Sequence, residues 1–591
     1  MPSKVEGWKD EVYGVEVRDH LRRFAEEGGF DAIPEEEHDA WFERFKWWGL
    51  YHQRSGQEGN FMMRVGVPMG RLTPEQLRVV GEIAREYADG PVENPAFGDA
   101  WADFTTRQSI QLHWIRLEDV PAIFDRLDEV GLSTIQACGD SWRNIVGSPV
   151  AGRDADEHID VWPLVQKLNE EFKGNPAHSN LPRKWKVSVT GDTRGAGQGD
   201  INDLAFEPAF KETEGERVAG FNVRVGGGLA RKEPRFARDI DVFCRPEEMT
   251  TVAAGVSALF RDHGDRENRF NARVKFLVDE WGAEKFRRVL QEEYIDYDLP
   301  TAGEDLRHEY DYNAGRTDAP GDYVGIHEQN DPEKRFVGLS VLTGRMGAEE
   351  VVELADRAAE YGSELVGLTQ RQNVVVADIP DEDLDDFLDH PLFEDYSPDP
   401  HPFMRGSIAC TGTEFCGLAI TETKNRMVRY ARWLKGNVAL PDGVDEFHIH
   451  LSGCTASCAQ PQIADVSLRG MKTRKDGDPV EAFDIGLGGG LGENPQFAEW
   501  VEMRVAADEV PGYVENLLST YETEREEYDD GSVQSFREFV ASVSETEGEE
   551  GLTALAEPME TSYDDPMMHN TKQAWYPYDE ETIPGAAPSD D

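Results

Sequence analysis

The sequence predicts an α+β or α/β protein built by internal duplication, with two halves related by a pseudo-twofold axis. Three observations carry this expectation. Residues 61–70 read as a strand, and Thr73-Pro-Glu-Gln76 is a capping box that opens a helix with Leu77, Val80, Ala84 and Tyr87 on its apolar face. A shift of 274 residues repeats the unit: a strand at 337–344 precedes a helix with Val351, Leu354, Ala358 and Tyr361 at the matching positions. The run Gly226-Gly-Gly228 returns as Gly488-Gly-Gly490. Self-similarity at a fixed shift marks repeated supersecondary units that share a core.

In chain order, 15–25 reads as a helix and 41–51 is dense in aromatic residues, which suits a core and also suits a wall for a flat macrocycle. After the first helix a strand is expected at 105–114 and a helix at 120–130, giving βαβα order. Thr369-Gln-Arg371-Gln372 echoes Thr106-Arg107-Gln108, and a helix at 384–388 closes the second copy. Residues 304–335 are rich in Asp, Gly, Asn and Pro and read as a linker. Beyond residue 547 the chain is acidic and Pro-rich, which predicts a mobile or surface tail.

At 591 residues two or more domains are expected. The formal charge is −56, from 116 acidic against 60 basic residues, a surface that repels nucleic acid and anionic membranes. Such a surface stays hydrated in concentrated salt and points to a halophile's cytoplasm; 39% apolar residues and 13 Trp argue against a disordered acidic chain. The first thirty residues hold no apolar stretch of the signal-peptide kind, and no apolar run reaches membrane-spanning length.

Four of the six cysteines form two pairs, Cys410-x5-Cys416 and Cys454-x3-Cys458, separated by 37 residues. Four soft thiolates suit an iron–sulfur cluster or zinc, and the x5 gap fits structural zinc poorly. Buried, inert cysteines are the third reading. The other half offers cations instead. Arg64 stands in an apolar strand where the second copy has Gly338, and is either an edge-strand arginine or one that needs a partner. The first-half counterpart of the Cys410 region is Cys138 to Pro149, with Arg143 inside it. In Arg183-Lys184-Trp185-Lys186 an extended backbone puts both lysines on one face, either as solvated surface or as part of an oxyanion pocket with Arg64 and Arg143. The glycine runs lack the G-x-G-x-x-G context of phosphate binding; a close backbone approach to a large cofactor or a paired turn suits them better.

The combination of cysteine pairs resembles that of the ferredoxin-dependent sulfite/nitrite reductases. The resemblance runs from about Trp41 to Val543 through Phe61-Met-Met-Arg64, Arg107-Gln108, Cys138 to Pro149, Leu181 to Lys186 and Arg273-Val-Lys275. It implies a monomeric three-domain enzyme around a coupled sirohaem–[4Fe–4S] centre. The expected parts are an N-terminal segment 1–60, ferredoxin-like halves 61–135 and 336–400, a sirohaem and substrate domain 136–303, the linker 304–335, a cluster domain 401–547 and the tail 548–591. Cys410, Cys416, Cys454 and Cys458 would ligate the cluster, with Cys458 also the axial sirohaem ligand. Arg64, Arg143, Lys184 and Lys186 would hold the substrate anion, and Arg107, Gln108, Arg183 and Arg273 the sirohaem carboxylates. With no flavin or nicotinamide domain visible, ferredoxin is the implied donor.

The position of Lys186 tends to be Lys in sulfite-type members and Asn in nitrite-type ones. Sulfite carries more negative charge near neutral pH and gains more from the extra cation. The reading is therefore sulfite to sulfide, with nitrite to ammonia as the alternative. Tyr51 and Cys138 match positions covalently linked in a related bacterial sulfite reductase, or are an ordinary core tyrosine and thiol. A cluster-only electron-transfer or structural protein, and a zinc module, are the readings of other classes.

Overall fold

The computed structural model describes residues 4–568 apart from 92–93, 95–96, 194, 214, 231–232, 307–322, 445, 493, 529–531 and 556–557. Its repeated units form two antiparallel sheets that exchange an edge strand. The first sheet runs Leu50–His52, Asn60–Val65, Ile110–Arg116, Trp101–Phe104 and Arg345–Gly347. The second runs Gly325–Glu328, Lys334–Leu339, Val374–Pro380, Val366–Leu368 and Arg71–Leu72. Each sheet thus ends on a strand donated by the other half. The helices Pro74–Tyr87 and Ala348–Glu360 meet where the halves interlock, so closely that a Cβ on Gly81 would come within 2.8 Å of Val352. The capping box at Thr73 and Gln76 forms as expected, and Leu77, Val80 and Ala84 are buried with Val351, Leu354 and Ala358.

The strand expected at 105–114 is instead a hairpin. Trp101–Phe104 and Ile110–Arg116 flank a turn at 105–109, so each half is βαββα rather than βαβα. Thr and alternating polarity hid the turn; Thr105 Oγ1 accepts from the Ser109 N–H at 3.2 Å, and Gln108 adopts a positive φ of 53°. Gln372 takes the same conformation in the second copy, with φ 66°.

A second pair of matching sheets follows each half. Val187–Val189, Leu204–Thr213, Glu216–Val225 and Arg238–Cys244 correspond to Ile449–Ser452, Val466–Lys475, Asp478–Leu487 and Glu499–Ala506. Each set is covered by a helix, Met249–His263 or Val510–Glu524. The glycine runs serve these sheets: a Cβ on Gly227 would meet the Asp200 and Asn202 carbonyls at 2.5 and 2.6 Å, and one on Gly489 the Gln462 carbonyl at 2.4 Å. The close approach is therefore to the chain's own backbone. Between the two sheets Gln460 donates to Gln198 at 2.7 Å and Phe236 stacks on Phe497 with centroids 3.8 Å apart.

Three separate apolar cores result, one shared by the interlocked halves and one for each later sheet. The N-terminal segment joins the first through Leu21, Phe24, Trp41, Phe45 and Trp48. The expected linker lies partly outside the described residues; its ends are strands, Glu304–Asp305 and Gly325–Glu328, each paired at a sheet edge. The expected surface tail is exposed over much of 558–564 but turns inward at 565–568. Asp565 is buried and accepts from Arg426 Nε at 2.7 Å, and the Met567 carbonyl accepts from Arg426 Nη2 at 3.0 Å, because a buried guanidinium needs acceptors on every side. Among the described residues no helix is long and apolar enough to cross a membrane.

The exchanged strand is tied in by charge. Arg345, fully buried, donates to Asp103 at 2.8 and 3.1 Å and to Glu414 at 2.9 Å, with the Trp101 ring 4.6 Å below. Arg345 and Lys424 hold the Asp103 carboxyl well below the usual range despite its burial, whereas burial pushes Glu414 up to about 7. Breaking a buried pair strands its partner's charge at a cost of about 3–5 kcal/mol. Arg345→Ala is accordingly expected to lower the thermal midpoint far more than Arg71→Ala, whose part-exposed side chain lies over the Trp162 ring and donates to the neutral Ala151 carbonyl. Equal losses in a melting comparison would contradict this role.

Candidate active site

Two neighbouring parallel strands bring the cysteine pairs together. Ser407–Ala409 runs beside Ile449–Ser452, so the loops at their C-terminal ends, carrying Cys410 and Cys454, open at the same edge. Gly412 is required there: its φ is 66° and a Cβ would lie 2.4 Å from Thr423 Oγ1. Cys410 Sγ accepts the Gly453 N–H at 3.2 Å, while burial and the neighbouring Cys458 and Cys454 push its thiol up to about 12. Such a thiol becomes a thiolate only with a cation to share its charge. Among the described residues no three His, Cys, Asp or Glu side chains converge on a point that one metal ion could occupy. A tetrahedral zinc needs sulfurs about 2.3 Å from one centre; thiolates at the corners of a cubane stand farther apart.

The cations assemble on the facing side. Arg64 projects from Asn60–Val65, Arg107 from the hairpin turn, Arg143 from the loop after Cys138, and Lys184 and Lys186 from the extended run into Val187–Val189. Arg107 donates to Asn202 Oδ1 at 2.9 Å and the Asn144 carbonyl at 2.6 Å; Arg143 donates to the Gly139 and Ala137 carbonyls, each at 3.0 Å. Burial and neighbouring charge depress three of them: Arg107 falls to about 9 and Lys184 to about 7, and Lys186 drops well below its usual range. Asp203 is the carboxylate that offsets them, and it is already bonded to Arg273 at 2.7 Å and to the Lys186 N–H at 2.8 Å. The Lys184 and Lys186 ammonium groups have no hydrogen-bond acceptor among the described residues, and Arg64 Nε and Arg107 Nε are buried without one.

Cys458 faces these cations; its charge acts on both Arg64 and Lys184. Thiols on one wall and unpartnered cations on the other fit the groups the resemblance implies, a cluster with thiolate ligands and a macrocycle bearing carboxylates. Tyr51 and Cys138 also meet. Cys138 lies close enough to act on the Tyr51 hydroxyl, Arg64 Nη1 donates to Cys138 Sγ at 3.2 Å, and burial pushes the Tyr51 hydroxyl up to about 12.

Other expected residues serve the scaffold. Gln108 is the clearest correction: its amide donates to the Met69, Gly147 and Leu368 carbonyls and accepts from the Gly147 N–H, which leaves nothing for a cofactor carboxylate. Arg183 is bonded to Asp140 at 3.1 Å, and Arg273 lends its charge while held by Asp203. Trp142 is core, stacked on Phe172 at 3.7 Å.

Three further residues were hidden from sequence reasoning. Gln111 lies opposite Arg64 in the strand register and accepts from Thr411 Oγ1 at 3.4 Å, linking the cation strand to the Cys410 loop. Thr106 Oγ1 donates to the Cys458 carbonyl at 3.0 Å. Lys173 donates to the Ile135 carbonyl at 3.3 Å, and burial with Arg143 nearby lowers it to about 7. Only the alternation in Ile110–Arg116 could have flagged one of them, Gln111.

Comparison with known proteins matches this arrangement. The family model described as the nitrite and sulphite reductase 4Fe-4S domain covers residues 138–297 and 401–542. The model for the nitrite/sulfite reductase ferredoxin-like half domain covers 52–93, 96–130 and 327–392. The chain is 51% identical over 587 residues, 99% of its length and 98% of the other's, to the assimilatory ferredoxin-dependent nitrite reductase of Haloferax mediterranei. It is 33% identical over 529 residues, 86% of its length and 90% of the other's, to sulfite reductase (ferredoxin) 1 of Mycolicibacterium paratuberculosis. The solved structure of the Mycobacterium tuberculosis NirA protein superposes with a TM-score of 0.81 at 31% identity, covering 93% of this chain and 98% of that one. Duplicated halves, facing thiols and cations, and these matches together make the chain a member of the ferredoxin-dependent nitrite and sulfite reductase family, whose enzymes carry sirohaem and a [4Fe–4S] cluster.

Proposed function

We propose that this enzyme reduces sulfite to sulfide with ferredoxin as electron donor, working as a monomer in a salt-rich cytoplasm. The carrying observation is Lys186, which adds a second ammonium beside Lys184 in a pocket whose offsetting carboxylate, Asp203, is already engaged. An anion of higher charge gains more from that pair. Reduction of nitrite to ammonia is the second reading, favoured by the 51% identity to the Haloferax mediterranei enzyme.

In this reading Cys410, Cys416, Cys454 and Cys458 hold the cluster, and Cys458 also holds the sirohaem iron. Arg107 would meet the macrocycle's carboxylates, with Arg273, held by Asp203, adding its charge. When bound, the two cofactors supply six electrons to one anion. Arg64, Arg143, Lys184 and Lys186 would bind that anion, and their charge would lower the cost of adding electrons to it. Each sulfite oxygen leaves as water and takes two protons with it. Lys184 and Lys173, both lowered to about 7, can give up a proton near neutral pH, and Lys173 is part-exposed and able to recover one from solvent. The proximity of Cys138 to Tyr51 supports the expected covalent link between them.

Arg143→Ala and Lys184→Ala are expected to lower kcat/KM for sulfite by about 10²–10³-fold, with the melting midpoint little changed. Full turnover with a lowered midpoint would show these residues to be structural. Lys186→Asn should move the sulfite-to-nitrite ratio of kcat/KM toward nitrite; a larger kcat/KM for nitrite in the unaltered enzyme, unchanged by this substitution, would establish the second reading.

Lys173 makes a separate prediction. As pH rises through a lysine's pKa the donor is lost, so kcat/KM should fall above pH 7, with the midpoint raised by cofactor carboxylates and the slope about tenfold per unit. Lys173→Met is expected to reduce turnover and alter this alkaline limb, whereas Lys173→Arg keeps the charge but not the titration. An alkaline limb identical in all three proteins would exclude Lys173 from proton supply.

A further inference from the structure

The duplication places a counterpart of the cation pocket in the second half, and its residues can be matched by their hydrogen bonds. Asp203 Oδ2 accepts the Lys186 N–H at 2.8 Å, and Asp465 Oδ2 accepts the His448 N–H at 2.8 Å, so His448 corresponds to Lys186 and Glu446 to Lys184. Gln108 Oε1 accepts the Gly147 N–H at 3.0 Å, and Gln372 Oε1 accepts the Ala409 N–H at 3.1 Å. Arg371, preceding Gln372, therefore corresponds to Arg107. Arg405, four residues before Ala409, corresponds to Arg143.

The two arginines are retained, and the charge between them is inverted. Glu446 Oε2 accepts from Arg371 Nη1 at 3.2 Å and lies 3.1 Å from His448 Nε2; Oε1 stands 3.0 Å from Arg405 Nη2 as a charge contact rather than an aligned hydrogen bond. All four residues are buried. In the first half Arg143 acts on Lys184 and Arg107 on Lys186, and neither ammonium has an acceptor among the described residues. Paired buried guanidinium groups need an anion, and here the chain supplies it.

We infer that the second half contains a closed anion site, with the Glu446 carboxylate standing where a small anion would otherwise bind between Arg371 and Arg405. The inference rests on the reading of the first-half cations as an anion site. It explains why the same backbone takes an external anion in one half and none in the other. Removing the carboxylate should expose a site for a small carboxylate or oxyanion of the size of formate.

The test is thermal melting of the cofactor-loaded enzyme in formate against chloride at constant ionic strength. Glu446→Ala is expected to melt several degrees below the unaltered protein in chloride and to recover saturably with formate, which leaves the unaltered protein unmoved. Adding Arg371→Ala to it should abolish the recovery. No formate response, or the same response in the unaltered protein, would overturn the inference. Should Glu446→Ala not accumulate, Glu446→Gln decides: an amide matches a carboxylate that merely fills space, so an unchanged midpoint would refute the built-in anion, and a fall of several degrees supports it. Melting reads this site without turnover. Full turnover in Lys184→Ala would sink the first-half reading and leave the formate result standing.

Discussion

The constraint on which the structure turns is a buried excess of positive charge in a strongly acidic protein. Arg64, Arg107, Arg143, Lys184, Lys186 and Arg273 act on one another across one pocket, with Asp203 as their carboxylate. Like charges at such range in a low-dielectric interior are costly. The chain reduces the cost with neutral acceptors, the Asn144, Ala137 and Gly139 carbonyls and the Asn202 amide, which hold the guanidinium groups in place without cancelling their charge. What remains uncancelled is the free energy available to bind anions. An arrangement that destabilises the empty chain is thus, on the function proposed, the one that would bind a multiply charged cofactor and a small oxyanion.

Duplication supplies the scaffold on which this imbalance is tolerated. Each half donates an edge strand to the other's sheet, and Arg345 ties that strand to Asp103 in the first sheet and to Glu414 in the Cys410 loop. One fully buried guanidinium therefore connects the interlocked halves with the cysteine wall. At the site the symmetry is broken in side chains: Lys184 against Glu446, Lys186 against His448, Arg64 against Gly338. The last exchange has a steric reason, since a Cβ on Gly338 would fall 1.6 Å from the Tyr323 carbonyl. Closing the second half with charge and backbone leaves the first half as the open one.

The parts legible in the sequence were those fixed by local spacing. The cysteine pairs, the repeated helix faces and the capping box need only neighbours along the chain, and the two lysines of the 183–186 run needed only an extended backbone. What escaped depends on tertiary pairing. Gln108 looked like a ligand because it follows Arg107, but its positive φ turns its amide onto three carbonyls. Gln111, three residues on, gains its place from the cross-strand register with Arg64, and Lys173 from the packing of its loop against Ile135. Asp565 read as part of an acidic tail until Arg426 was seen to need it.

The same tertiary logic reconciles the surface with the site. A formal charge of −56 repels a small anion and an acidic electron donor alike in dilute solution. Salt screens exposed charges within about 3 Å at 1 M, and screens buried ones far less. Concentrated salt therefore removes the surface repulsion while weakening the attraction of the pocket far less, because Arg143 and Arg273 are buried and Lys184 and Lys186 are part-buried beside them. An acidic shell around a cationic interior is contradictory only at low ionic strength; in brine it separates solubility, which the surface provides, from anion recognition, which the buried cations provide.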